Sequence, residues 1–298
     1  MQHHVGFLTS PVPLYFEEFM PSSGGDECVV LVHGGATTGA CYLITPDGRP
    51  GWAYQFLQSG YRVVVLDWPG VGRSGTVRPD VLDGEMVCAA LGKLLEHLNR
   101  QVTLLVHSMS GPYGLRLIES HGAWIKALVA VAPGPPGNIQ QIPIVLREDD
   151  NEIVVQGEPL QWQIPKTGVW APSETLIQDK ILGKTRYFPR HALDAFRASL
   201  VPIPVRLIYE RQNVRNSQIR VNRNGNFEGK RVLILTGSHD TDHPREVDGR
   251  LVTWLSEAGA DVTFQFLGDV GIEGNGHMLM LEENSDQLAN RVLLWLDK

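Results

Sequence analysis

Short, uniformly apolar runs alternate along the chain with longer segments whose apolar residues recur at helical spacing. The runs are rich in β-branched residues and have no polar face. They therefore predict strands that are buried on both faces of a mostly parallel sheet. The predicted strands are 28–32, 61–66, 102–106, 127–131, 232–235 and 262–267.

The clearest helical pattern lies at 86–98, where seven apolar residues share one stripe. Similar patterns lie at 52–57, 112–119, 247–258 and 288–296. Strands that alternate with helices in this way predict an α/β fold with a doubly wound sheet.

The alternation stops at 134–229, a stretch rich in proline and aromatic residues. One interpretation is a long irregular insertion with a small core of its own. The other is a cap over an active site, because ligands bind above the carboxyl ends of parallel strands. We favour the cap. This divides the chain into an α/β core, 1–133 and 230–298, and an inserted segment, 134–229, although the length of 298 residues is equally compatible with two domains.

Composition excludes several classes of protein. A hydrophobic content of 43% is ordinary for a globular chain, and the net charge of −7 disfavours nucleic acid and anionic membranes as partners. Cys28, Cys41 and Cys88 are scattered, so they indicate neither a disulfide framework nor a metal site. The N-terminus does not resemble a signal peptide, and no apolar run approaches about 18 residues. We expect a cytoplasmic enzyme that does not bind membranes.

Ser108 stands where the strand at 102–106 leads into the helix at 112–119. A serine at such a junction, among small residues, is typical of a nucleophile elbow, whose sharp turn exposes the hydroxyl. The G-x-S-x-G pattern is incomplete, since its outer positions are Val106 and Ser110, with Gly111 one place late. Such a serine is more often a helix N-cap, so the interpretation depends on the rest of the chain.

Two loops earlier in the chain contribute further candidates. After the first predicted strand, His33 precedes Gly34 and Gly35, and the N–H groups of Gly35 and Met109 could form an oxyanion hole. We expect Gly34 to contact the substrate and His33 to be structural. The loop 67–75 is interpreted as a tight turn without a catalytic role, although Trp68 could line the substrate pocket.

A histidine and two aspartates complete the set. His277 lies in a glycine-rich loop before the last helix, and Met278 beside it is a candidate for substrate contact. A neutral imidazole there can take the serine proton and return it to the leaving group. Asp240 follows the predicted strand at 232–235 and is the preferred acid, with Asp242 as the alternative, expected to face away or towards solvent. The order Ser, Asp, His is that of α/β hydrolases.

Taken together, these motifs resemble the α/β-hydrolase superfamily over nearly the whole chain, and more narrowly the esterase-713-like bacterial esterases. The narrower resemblance is carried by the segments 45–52, 107–113, 244–245 and 274–280. It implies a serine nucleophile, a histidine base, an oxyanion hole near Gly35 and Met109, and a dimer whose caps meet. In the esterases that the chain resembles, the acid of the site is a Glu within a Val-Glu-Pro-Gly stretch. This chain has Val131, Ala132, Pro133 and Gly134 at the matching place. Either Asp240 replaces that acid, or the site is a dyad, or the activity has changed.

These observations predict a carboxylic ester or lactone hydrolase that acts on a small or medium apolar substrate through an acyl-enzyme. No cofactor or metal is expected, since no phosphate-binding glycine motif and no ligand-spaced cluster occur. A homodimer is expected. Two other functions stay open: a lyase, cyclase or C–C hydrolase of natural-product metabolism, and a non-catalytic binder of small molecules.

Overall fold

A single large sheet organises the molecule. The computed structural model describes residues 2–157 and 160–298. The strands of the sheet are β1 (Gln2–Leu8), β2 (Leu14–Met20), β3 (Cys28–Val32), β4 (Arg62–Asp67), β5 (Val102–His107), β6 (Ile125–Val131), β12 (Arg231–Thr236) and β13 (Asp261–Phe266); β7 to β11 belong to the inserted segment. Within the described residues these eight strands are ordered β1-β2-β4-β3-β5-β6-β12-β13.

The strand order reverses beside β3. The chain passes from β3 to β4 on one side and then places β5 on the other, and all three strands are parallel. The carboxyl ends of β3 and β5 therefore face a crevice at a topological switch point, where ligands bind in open α/β sheets. Both faces of the sheet carry buried apolar clusters, as the apolar runs predicted.

Helices cover the two faces of the sheet. They are α1 (Ala40–Leu43), α2 (Trp52–Gln58), α3 (Gly84–Leu98), α4 (Gly111–His121), α8 (Arg245–Glu257) and α9 (Ser285–Leu296), with α5 to α7 in the inserted segment. All six predicted strands and five predicted helices are present, with their ends displaced by no more than three residues. No helix within the described part of the chain is long and apolar enough to cross a membrane.

The inserted segment contains strands and helices as well as loops, which differs from its interpretation as irregular structure. Apart from positions 158 and 159 it is described throughout. Its elements are β7 (Val145–Glu148), β8 (Glu152–Val155), β9 (Trp162–Pro165), β10 (Val169–Trp170), α5 (Glu174–Leu176) continued by a π-helical turn (Ile177–Leu182), α6 (Leu193–Ser199), β11 (Ile203–Pro204) and α7 (Val205–Arg211). β7, β8 and β9 form an antiparallel sheet. The buried apolar residues of the segment join both clusters of the main core, so the segment packs onto the sheet instead of forming a separate core.

Candidate active site

Ser108 lies at the carboxyl end of β5, in a tight turn that leads into α4. Its φ is +52°, in the left-handed region that only glycine adopts freely. Such a conformation costs on the order of 1–3 kcal/mol and persists only where surrounding contacts fix it. One of these contacts is the hydrogen bond that Gly134 N donates to Ser108 O at 2.8 Å. The backbone at Ser108 therefore has the strained geometry of a nucleophile elbow.

The elbow forms without the outer glycines of its motif because other small residues provide the close approach. The Ser110 hydroxyl donates a hydrogen bond to His33 O at 2.5 Å, so it is satisfied within the turn. A methyl group on Gly111 would clash with Gly134 O, and one on Gly114 would lie 3.0 Å from Val106 Cγ1. The motif expects its second outer glycine at position 110. Gly111 and Gly114, which lie one and four residues after that position, therefore allow α4 to approach the strands.

Three side chains form a continuous hydrogen-bonded chain at this turn. His277 Nδ1 lies 2.8 Å from Asp240 Oδ2, and His277 Nε2 lies 2.9 Å from Ser108 Oγ. All three residues are buried. An ionised Asp240 accepts from Nδ1–H, which leaves Nε2 as the acceptor for the Ser108 hydroxyl. The structure therefore brings together the three residues that the sequence suggested.

Asp240 is ionised in this setting. Burial alone would raise the pKa of its carboxyl, but the neighbouring His277 and His243 lower that pKa below its ordinary value. Its second oxygen, Oδ1, accepts from Asp242 N at 2.9 Å. The carboxylate is therefore held by hydrogen bonds at both oxygens.

The loops that carry Asp240 and His277 are bound to each other. His239 N donates to Asn275 O at 2.8 Å, and Gly274 N donates to Ser238 Oγ at 2.9 Å. A side chain on Gly237 would clash with this loop, which explains the glycine there.

The buried Glu282 holds the histidine loop from the other side. Its carboxylate accepts from Gly276 N at 2.7 Å, from Asn275 Nδ2 at 2.5 Å and from the Thr185 hydroxyl. Thr185 belongs to the inserted segment, so that segment also contributes to fixing His277. The sequence analysis did not find Glu282; the only signal is a carboxylate directly after an apolar run.

Two of the predicted substrate contacts are wrong. Trp68 is fully buried, stacks on His33 with ring centroids 4.6 Å apart and does not line the cavity. Gly34 lies beneath the cavity wall, where a methyl group would meet His107 Nδ1 at 2.6 Å. Gly35, Met109 and Met278 do line the cavity.

His33 is structural, as expected. Its Nδ1 donates to Gly34 O at 2.8 Å, and its Nε2 accepts from Trp68 N at 3.0 Å. Burial lowers the pKa of His33 to about 4, so the ring is neutral at physiological pH. The loop after β4 is likewise held as a turn, since Asp67 accepts from Arg73 Nε at 2.9 Å and from Gly39 N at 2.8 Å.

Two further histidines, to which the sequence analysis gave no role, pack against the ring of His277. His107 is at 4.9 Å between ring centroids and donates from Nε2 to His277 O at 3.1 Å. Burial lowers the pKa of His107 well below its ordinary value, so it is neutral. His243 stacks on His277 with ring centroids 5.3 Å apart and an interplanar angle of 17°. The two rings restrict how far the His277 imidazole can tilt.

His243 carries a positive charge. Its Nδ1 lies 2.8 Å from Asp248 Oδ1, and its Nε2 faces Asp242 Oδ2 at 3.7 Å. Burial acts to lower its pKa, but Asp248, Asp240 and Asp242 outweigh burial and raise the pKa to about 9.

This charge makes stability dependent on pH. The folded-state pKa of His243 exceeds the unfolded value of 6.5, so its contribution is complete below pH 6.5 and is lost as pH rises through 9. The shift corresponds to roughly 3 kcal/mol. Chemical denaturation at pH 6 and pH 9.5 should show a larger loss of unfolding free energy in the wild type than in His243→Gln. The exposed His191→Gln serves as the control. Equal losses in wild type and His243→Gln would contradict the assignment.

The sequence analysis expected Asp242 to face away from the site or towards solvent. The structure corrects this, because Asp242 faces the cavity. Its side chain is 15% exposed and lines the cavity. Oδ1 lies 2.5 Å from Lys180 Nζ, and Oδ2 lies 3.5 Å from Arg211 Nη2. Burial would raise its pKa, but Lys180, His243 and Arg211 lower it, so Asp242 is ionised. Lys180 and Arg211 both come from the inserted segment, whereas His243 belongs to the core.

The cavity above Ser108 has one wall from the core and one from the inserted segment. It encloses about 590 Å³ of empty space, its mouth included. The residues of the core include Gly35, Ala36, Thr37, His107, Met109, Asp242 and Met278; those of the inserted segment include Trp162, Trp170, Leu176, Lys180, Ile181, Leu200, Ile208 and Arg211. Most of this lining is apolar.

One group of side chains has the composition of a metal site. Asp240, His243 and His277 offer ligand atoms within 4.8 Å of one another, and among the described residues no other group of three does so. However, Asp240 is hydrogen-bonded to His277, and His243 Nδ1 is hydrogen-bonded to Asp248. Each of the three residues is thus already engaged in the hydrogen-bonded network.

Known proteins with similar sequences and structures include lipases and esterases. "Probable secreted lipase phiG" from a fungus (strain ATCC 74256) is 25% identical and covers 99% of this chain and 88% of its own length. A soluble variant of monoglyceride lipase from Saccharomyces cerevisiae superimposes with a TM-score of 0.66 over 100% of this chain and 95% of its own, at 15% identity. A bacterial esterase superimposes with a TM-score of 0.58 over 99% and 95%, at 18% identity. The two structural likenesses concern the fold.

The model of the alpha/beta hydrolase family matches residues 29–291, which include the turn at Ser108, the Asp240 loop, the His277 loop and the inserted segment. A match of this extent agrees with the predicted sheet and with the order of the three hydrogen-bonded residues along the chain. The chain therefore belongs to the alpha/beta hydrolase family.

Proposed function

We propose that this protein is a carboxylic ester hydrolase in which Ser108 is the nucleophile, His277 the general base and Asp240 the residue that orients it. The observation that carries the proposal is the chain of two hydrogen bonds, of 2.8 and 2.9 Å, that joins these residues at the floor of a largely apolar cavity. The similarity to a protein named as a lipase supports ester bonds as the target.

In the proposed reaction His277 Nε2 takes the proton as Ser108 Oγ attacks the ester carbonyl. Asp240 stabilises the imidazolium that forms, and His277 then gives the proton to the departing alcohol oxygen. Water attacks the resulting acyl-enzyme by the same route and releases the acid. The N–H groups of Gly35 and Met109 are proposed as donors to the oxyanion, which is supported by the position of both residues in the cavity wall beside Ser108.

We further propose that residues 134–229 act as a cap. Trp162, Trp170, Leu176 and Ile208 of this segment form the apolar wall opposite Ser108. Such a wall suits the hydrophobic part of a small or medium ester, whose burial is worth about 25 cal/mol per Å² of apolar surface.

Labelling with a fluorophosphonate, followed by a screen of acyl chain lengths and lactones, tests the proposed function. We expect stoichiometric labelling of Ser108 together with turnover of at least one ester class. Labelling without turnover of any ester or lactone would favour a lyase, cyclase or C–C hydrolase. Tight binding of a ligand that Ser108→Ala leaves unchanged, without labelling, would indicate a binding protein.

A homodimer with the inserted segments at its interface is also proposed. β7 is an edge strand of its sheet, and the apolar Ile142, Ile144, Val145 and Leu146 at and before it are 40–63% exposed. An exposed edge with such a patch is typical of an interaction site.

We expect sedimentation velocity at micromolar concentration to give a dimer for the wild type and a monomer for Leu146→Asp. The exposed Leu294→Asp, on α9 of the core, is the matched control and should stay dimeric. A monomeric wild type would contradict the proposal.

A further inference from the structure

The cavity above Ser108 contains a guanidinium that the protein leaves largely without partners. The Arg211 side chain is only 12% exposed, and within the described residues its one charged partner is Asp242, 3.5 Å from Nη2. That separation is longer than an ordinary hydrogen bond, and the guanidinium donates no side-chain hydrogen bond to another described residue. A guanidinium has five N–H donors, so Arg211 keeps donors with which it can bind a group in the cavity.

Arg211 is also close to the reacting residue. A methyl group on Gly134 would lie 3.2 Å from Arg211 Nε and 3.3 Å from Ser108 O. Arg211 Nε and Ser108 O therefore both approach Gly134, and Arg211 and Ser108 both line the cavity. A group bound by Arg211 would therefore lie in the same cavity as an ester carbonyl attacked by Ser108.

The other charges of the cavity indicate the charge of that group. Lys180 is nearly buried, paired with Asp242 at 2.5 Å, and its Nζ lies 4.7 Å from the centroid of the Trp162 ring. The negative charge of Asp242 is thus paired mainly with Lys180, and the positive charge of Arg211 is left largely uncompensated. Two cations and one anion line the cavity, so a single negative charge balances them. The Asp242 carboxylate lies beside the same guanidinium and would repel a dianion more strongly than a monoanion. This favours a carboxylate over a phosphate as the bound group.

We propose that Arg211 binds a carboxylate of the substrate, so that the preferred esters are short monoesters of dicarboxylic acids or similar esters that carry a free carboxylate. This inference rests on the proposed ester hydrolysis and specifies its substrate class. Carboxylate and guanidinium form paired, charge-assisted hydrogen bonds, which provide both affinity and orientation.

The test compares two esters of nearly equal shape, monomethyl succinate and methyl 4-methylpentanoate, by acid release in a pH-stat. The quantity measured is the ratio of kcat/KM for the charged ester to that for the neutral one. Arg211→Gln should lower this ratio by about 10- to 100-fold, the range expected for a lost charge-assisted contact. Arg211→Lys, which keeps the charge without the planar fork, should fall between. The exposed Arg215→Gln, outside the cavity, is the control and should leave the ratio unchanged.

A binding measurement separates this inference from the proposed function. Calorimetry with Ser108→Ala should detect monomethyl succinate, and adding Arg211→Gln should weaken its binding by about 10- to 100-fold. Binding that depends on Arg211 without hydrolysis of any ester would refute the proposed function but support the carboxylate site. An unchanged kcat/KM ratio together with unchanged binding in Arg211→Gln would overturn the inference. A ratio that falls as far in Arg211→Lys as in Arg211→Gln would also overturn it. Tighter binding of methyl phosphate than of monomethyl succinate would overturn the choice of a carboxylate.

Discussion

Ser108→Ala should lower the turnover of any ester substrate by at least about a thousandfold, because removal of the nucleophile ends acyl-enzyme formation. The loss of one hydroxyl should leave the fold intact, since its partner His277 remains bonded to Asp240. An alanine keeps the left-handed backbone no more easily than a serine does, so the unfolding free energy should change little.

Steady-state kinetics on the ester found by the screen, together with thermal unfolding, provide the measurement. Ser256→Ala, an exposed position on α8, is a suitable control. Retention of most activity in folded Ser108→Ala would exclude the serine mechanism, and loss of both activity and fold would show that the hydroxyl is structural.

Asp240→Asn should lower turnover by on the order of a thousandfold or more while preserving the shape of the site. The amide can donate a hydrogen bond to His277 Nδ1, and the histidine would then carry its proton on Nε2. In that tautomer Nε2 points a donor at Ser108 Oγ, 2.9 Å away, and has no lone pair for the serine proton.

Two comparisons make the result specific. The exposed Asp269→Asn should retain activity. The double variant Ser108→Ala with Asp240→Asn should be no slower than Ser108→Ala alone, because the residues act as a unit. Near-normal turnover in Asp240→Asn would show that the acid is not Asp240, which leaves Asp242 or a dyad.

The sequence predicted the central sheet well because β3 to β6 and β12 are buried on both faces, which leaves a uniform apolar signal. It missed β1 because this edge strand is exposed, with polar residues where a core strand has apolar ones. It missed β2 because the buried Phe16 is followed by Glu17 and Glu18, both held in ion pairs that no local pattern reveals.

The candidate site was predictable where it depended on chain order. Ser108, Asp240 and His277 each follow a strand of the central sheet, and strand order sets where their loops meet. Burial of polar side chains, in contrast, depends on distant parts of the chain. Asp242 is buried by Lys180 and Arg211, which lie more than thirty residues before it in the sequence. No local feature distinguishes it from a solvated loop aspartate.

The attachment of the inserted segment to the loops that carry Asp240 and His277 has a consequence for engineering. Arg186 N donates to Gly274 O at 2.8 Å, and Lys180 binds Asp242, two residues after Asp240. Residues 134–229 therefore do not form an exchangeable module. A chimera that receives this segment from a relative must reproduce both contacts to keep the loops of Asp240 and His277 in place. Transfer of specificity between such enzymes should require the segment, the loop at 237–244 and the loop at 273–283 to be grafted as one set.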